Sequence, residues 1–256
     1  MPRPLPPSAE IAAMLGWWRE AGVDAVFRDQ AETWLAQPEA ATPAAAEPAR
    51  RVAAPPPPPP PAPQAGGPRE SWPRDLDGFR RWWLAEPSLD AGGLAPRIAP
   101  EGPAGAPLMV LVAMPEEEDR DALLSGPQGR LLAGFLGAAG LAPGQVYRAA
   151  VLPRYTPFPD WGELEREGLG TLAAHHVALA RPQRLLVLGH SIPPLCGHGP
   201  AQGAQNLRTF NHEGGRVPAL FEVGLDRLLT SWRSRARLWE RWLEWTDGEA
   251  WREGSS

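Results

Sequence analysis

Lysine is absent from the 256-residue chain, so every fixed side-chain positive charge is an arginine. With 33 prolines and 27 glycines, this absence reads first as the coding bias of a GC-rich genome. Cysteine occurs once, as Cys196, which excludes an internal disulfide framework and an all-cysteine metal site. No apolar run is long enough to span a membrane, and the N-terminus lacks the apolar core of a secretory signal. A cytoplasmic protein with no membrane partner is the expectation. Positive charge is also in deficit: 25 basic side chains face 30 acidic ones, a formal net charge of -5. No global basic field draws the chain to nucleic acid, so DNA contact requires a local patch.

What is present divides into three parts. Residues 1–37 form an N-terminal helical segment. Ser8 can cap a helix carrying Ile11, Met14, Leu15 and Trp18 at helical spacing, and Gly22 can end it. Residues 27–35 can add a short second helix with Trp34. The pair Trp17-Trp18 suits a helix docked on its own core or one that takes a protein partner. Residues 38–70 are rich in Pro and Ala and include an unbroken proline run at 55–61. Such a run favours polyproline II and acts as a stiff spacer. Residues 71–256 form the main domain.

Within that domain the patterning alternates. A helix is expected at 75–84, with Leu76, Phe79, Arg80 and Trp83 on one side. Residues 108–113 form an apolar run that reads as a buried strand. Helix 127–139 follows, with Leu131, Leu132, Phe135 and Leu136 on one face, and Gly140 can end it. Further strands are expected at 146–152, 184–188 and 216–221, with helices at 164–179, 191–196 and 225–245. Residues 199–211 read as loop. The expected fold class is α/β, a three-layer α/β/α sandwich with a mainly parallel central sheet. Ligands of such sheets bind beyond the carboxyl ends of the strands, which singles out residues 113–118 and 149–154.

The stretch 107–154 carries a resemblance. Val112-Ala113-Met114-Pro115-Glu116, then Glu117-Glu118-Asp119, then Gly126-Pro127-Gln128-Gly129, then Val146-Tyr147-Arg148-Ala149-Ala150-Val151-Leu152 resemble, in order and spacing, the family-4 branch of the uracil-DNA glycosylase superfamily. The resemblance extends through the C-terminal half and implies a uracil-DNA-glycosylase-like fold. It also implies four pieces of base-excision chemistry, since a glycosylase must flip a nucleotide into a pocket and read its edge. Ala113 stands where the family has a water-positioning acid or polar group, followed by Met114 and Pro115. Leu124 stands at the base-stacking aromatic, and Ala150 at the asparagine that reads the base edge. Counting back from Leu228-Leu229 and Trp239 puts the family's His-Pro motif at Gly224-Leu225. The chemical groups are thus replaced at each position, and the family's cluster cysteines are missing. The resemblance therefore implies a DNA-associated protein with lost or altered excision, no cofactor and no iron–sulfur cluster. Glu116 and Glu117 are the weak catalytic candidates, as substitutes for the lost acid or as part of a solvated loop. The competing classes are an active glycosylase using substitute residues and a non-catalytic protein-interaction module.

Other features have narrower readings. Gly189-His190-Ser191-Ile192-Pro193 resembles a hydrolase nucleophile elbow, but Pro193 replaces the second glycine; an ordinary turn with Ser191 as helix cap is the alternative. Asp226 and His212 follow in the wrong order for the usual acid-then-His arrangement. His175-His176 are adjacent on a helix and point apart, while His190, His198 and His212 lack metal-ligand spacing. Cys196 reads as a small core residue. The DNA-binding candidates are Arg227, Trp232, Arg233, Arg235 and Arg237, in the region where the resembling family probes DNA; arginine can hold phosphate and tryptophan can stack. Glu240 and Glu244 weaken that patch.

Overall fold

The structure is a computed structural model and describes residues 16, 17, 20, 64–195 and 207–246. The chain divides into two compact units, Met1–Pro57 and Pro58–Ser256. Of the first, Gly16, Trp17 and Glu20 are helical; the rest of the expected helical segment lies outside the described residues. Most of the expected linker does too, but its end differs from expectation. Ala65 is buried, its amide donates to the carbonyl of Glu167 at 2.9 Å, and Trp72 Nε1 donates to the carbonyl of Gly66 at 2.9 Å. Packing of the second unit therefore begins by residue 65, ahead of the expected boundary at 71. Gly66 lies against the indole rings of Trp72 and Trp82, where a β-carbon would meet both.

The second unit is an α/β fold around a five-stranded sheet. Its strands are β1 (Leu108–Val112), β2 (Val146–Ala150), β3 (Leu185–Leu188), β4 (Leu207–His212) and β5 (Gly215–Glu222). Their order is β2-β1-β3-β5-β4, parallel throughout except for the antiparallel β4–β5 pair. The helices are α1 (Leu76–Ala85), α2 (Pro127–Ala138), α3 (Trp161–Arg166), α4 (Leu169–Ala180), α5 (Ile192–Leu195), α6 (Leu225–Thr230) and α7 (Trp232–Thr246). The central strands β1 and β3 are buried along their whole length, as expected of parallel strands covered on both faces. Alternate residues serve two cores. Met109, Leu111, Leu185 and Val187 pack with Phe79, Trp83, Leu172 and Val177 of α1 and α4. Leu108, Val110, Val112, Leu186 and Leu188 pack with Leu132, Leu136, Leu228, Leu238 and Trp242 of α2, α6 and α7.

Local chemistry sets the helix ends. The Asp75 carboxylate accepts from the amide of Gly78 at 2.7 Å and caps α1. Gly140, with φ of 79°, ends α2: its amide donates to Gly137 and that of Leu141 to Leu136, the paired bonds of a Schellman motif. The two long expected helices are each broken. Gly168, at φ of 82°, separates α3 from α4, and Ser231 separates α6 from α7. Strand β4 replaces part of the expected loop at 199–211. It pairs with β5 through the turn Glu213-Gly214.

Candidate functional site

Strand register brings Val112, Ala150, Leu188 and Glu222 level across the sheet. The chain leaves β1 toward β2 on one side and has β3 on the other, so the gap beyond β1 and β3 is the switch point where such sheets bind ligands. A cavity of about 360 Å³ lies there, lined by residues 112–116, Gln128, Tyr155, Trp161, residues 188–191 and residues 224–226. Of the positions the resemblance singled out, Ala113, Met114, Pro115 and Gly224 line this cavity. Leu124 and Ala150 lie instead in the core beneath α2 and α7. Leu124 is held at φ of 60° because its amide donates to Asp119 Oδ2 at 2.8 Å, and its side chain turns into the core.

The acidic loop does structural work. Glu116 is buried, and its carboxylate accepts from the amides of Gly126 at 3.0 Å, Gln128 at 2.8 Å and Gly129 at 2.9 Å. These are orphan donors at the start of α2, which also favours negative charge. Asp119, also buried, accepts from the amides of Glu116, Leu124 and Ser125 and from the Ser125 hydroxyl. Glu117 and Glu118 are exposed. The reading of Glu116 and Glu117 as part of a solvated loop fits Glu117 but fails at Glu116, whose carboxylate, like that of Asp119, has backbone amides in place of water. Glu116 touches the cavity while its oxygens are engaged in these bonds.

Gln128, Tyr155 and Trp161 carry no site signal in the sequence, and His190, Ser191 and Asp226 enter it only through hydrolase or metal-ligand patterns. The structure brings all six to the cavity wall. Asp226 lies in the first turn of α6, and its Oδ1 occupies space that a β-carbon on Gly224 would need. Gly189, at φ of 152°, makes the turn out of β3, and a β-carbon there would press on Ile192. The following His190-Ser191 pair is thereby delivered to the rim. His212 lies on the edge strand β4, where its Nδ1 accepts from the amide of Gly214 at 3.1 Å. Cys196 and His198 lie outside the described residues. No family model matches this chain, and no curated protein matches it.

The two adjacent histidines serve the core. His176 Nε2 shares a 2.8 Å hydrogen bond with the Tyr147 hydroxyl. Burial pushes His176 down to about 3, with Arg80 and His175 adding repulsion, and pushes Tyr147 up to about 12. His175 Nε2 instead lies 2.8 Å from the Pro73 carbonyl oxygen. Among the described residues no group of three or more His, Cys, Asp or Glu could hold a metal ion, and no helix is long and apolar enough to cross a membrane.

Of the arginine-rich stretch, Arg227 follows the lining residues Leu225 and Asp226 in α6, while Trp232, Arg233, Arg235 and Arg237 belong to α7. Arg227, Trp232, Arg233, Arg235 and Arg237 are all exposed. The Arg233 guanidinium lies 5.1 Å from the Trp232 ring centre. Arg235 is spent differently: its Nη1 donates to the carbonyls of Leu228 at 2.7 Å and Leu229 at 3.1 Å, satisfying the end of α6. Trp242 is buried on the packed face of α7, with Ser234, Leu238 and Thr246. Glu240 and Glu244 are exposed.

Proposed function

We propose that this chain carries a uracil-DNA-glycosylase-like domain that associates with DNA and whose base-excision chemistry is lost or altered. The carrying observation is that Ala113, Met114, Pro115 and Gly224, chosen by motif from segments far apart in sequence, meet at one switch-point cavity. None of these four has a side chain that moves a proton or donates to a departing anion. Glu116, the nearest acid, is tied to three amides. Losing one electrostatic donor costs about 100- to 1,000-fold in rate. DNA association is supported by the exposed cation Arg227 on α6, the helix that begins at the cavity, and by the exposed Trp232, Arg233 and Arg237 on α7, the next helix in the chain.

The test is release of uracil, hypoxanthine and xanthine from single- and double-stranded oligonucleotides, alongside binding across a salt series. No efficient uracil release is expected, with weak binding that becomes clear at low salt. Uracil turnover comparable with an ordinary glycosylase would overturn the loss of chemistry. A second reading, an active glycosylase with substitute residues, is favoured by Gln128, His190 and Asp226 in the cavity wall. Failure to bind DNA at low salt would instead favour the non-catalytic protein-interaction module.

A further inference from the structure

Resting on that reading of the cavity, we propose that it takes a planar heterocyclic cation, an N-alkylated purine, in preference to a neutral base. The charged groups in its wall are the carboxylates of Glu116 and Asp226, and none of its lining residues is an arginine. Three backbone amides temper Glu116. Asp226 is exposed at the rim, where its carboxylate takes the space that a side chain at Gly224 would fill. Tyr155 and Trp161, both half-buried, add aromatic surface. Carboxylate and aromatic ring both attract a cation, the ring through its quadrupole. Gln128 and His190 add hydrogen-bonding groups suited to a heterocycle edge. The volume is within the range of small-molecule sites.

The leaving-group chemistry agrees with this choice. When the glycosidic bond of a neutral base breaks, the base departs as an anion, and a carboxylate beside it is unfavourable. When the base is an N-alkylated cation, the electron pair of the C1′–N bond returns to the ring nitrogen and cancels its charge. The base then leaves neutral, water oxygen bonds to C1′, and the water proton passes to solvent. The missing anion donor at Gly224 is no handicap for this class.

The experiment compares 1-methyladenosine, a cation at neutral pH, with its neutral isomer N6-methyladenosine. Each is titrated into the full chain by calorimetry as free nucleoside and within a short single-stranded oligonucleotide. The cationic isomer is expected to bind about tenfold more tightly. Preference in the nucleoside alone identifies a free nucleoside as the ligand, and preference in the oligonucleotide identifies the nucleic acid. Asp226→Asn should bring the isomers within about twofold of each other. If that variant does not fold, Gly224→Ala displaces the same carboxylate and should do the same. Equal binding of the isomers in both forms, no binding of either, or a preference that survives loss of the carboxylate would overturn the inference. Salt-dependent binding of unmodified DNA without any cation preference would overturn it while leaving the proposed function standing. A nucleoside preference without DNA binding would do the reverse.

Discussion

The carboxylate of Glu116 accepts a hydrogen bond from the backbone amide of Gly129 at 2.9 Å, joining the loop after β1 to the first turn of α2. Glu116→Gln should lower stability by about 1–3 kcal/mol, because buried amides lose a charged acceptor. Glu117→Gln, on the exposed side of the same loop, should stay within about 0.5 kcal/mol. Urea unfolding of both variants checks this. An unchanged midpoint for Glu116→Gln would mean that its carboxylate is not committed to structure and is free for water activation.

Gly129 has a second constraint. A β-carbon there would fall on the carbonyl of Leu124, which is backbone and cannot swing away. Gly129→Ala should cost at least about 1–3 kcal/mol through overpacking. Gly134, exposed in the same helix with open space around it, provides the control. Gly134→Ala should raise stability by about 0.5–1 kcal/mol. Thermal unfolding of the two variants should move in opposite directions.

His176 makes stability depend on pH. The unfolded chain binds a proton there near 6.5, whereas the folded chain refuses it until about 3. The unfolded state therefore binds more protons in that window, and stability rises with pH across it. The contribution is fully present above about 6.5 and is lost as pH falls toward 3. The slope approaches about 1.4 kcal/mol per pH unit for one proton. Urea midpoints from pH 7.5 downward should show this fall, and His176→Leu should flatten it.

Asp90 Oδ2 accepts from Arg97 Nε at 3.1 Å and from Arg154 Nε at 2.9 Å, with all three side chains largely buried. It pins the connection before β1 to the chain leaving β2. Asp90→Asn leaves two guanidiniums without their counter-charge and should cost about 3–5 kcal/mol. Chemical denaturation measures the loss, and a change below 1 kcal/mol would show that water replaces the carboxylate.

DNA contact is testable by salt slope. Each phosphate neutralised contributes about -0.9 to the slope of log affinity against log salt on duplex. Changing Arg233 and Arg237 together to Ala should lower the slope by about 1.8 if both touch phosphate. Arg235 is a poor choice because it also closes the end of α6. Trp232→Ala should weaken binding by about 1–3 kcal/mol with little change in slope, since stacking releases no counterions. Fluorescence anisotropy across a salt series separates the two effects.

Strands β1, β2, β3 and β5 were legible because each is a local apolar run long enough to cross the sheet. Strand β4 was not. Phe210 is its buried residue, and Leu207, Thr209 and Asn211 face solvent, so an antiparallel edge strand looks like a polar loop. Its signal was the Glu213-Gly214-Gly215 turn ahead of the apolar run 217–221. The breaks at Gly168 and Ser231 were equally hidden, since apolar spacing continues through both and only the cap geometry interrupts it.

The alternation of strand and helix, and the small or apolar side chains at Ala113, Leu124, Ala150 and Gly224, are readable from the chain alone. These are matters of residue type and local period. Tertiary structure alone decided what meets what. The order β2-β1-β3-β5-β4 puts the ends of β1, β3 and β5 side by side, so Ala113, His190 and Asp226 share one cavity wall. Folding also buries Glu116 against amides ten to thirteen residues away. Strand pairing and carboxylate desolvation depend on contacts distant in the chain, and such contacts leave no periodic trace in the residues that make them.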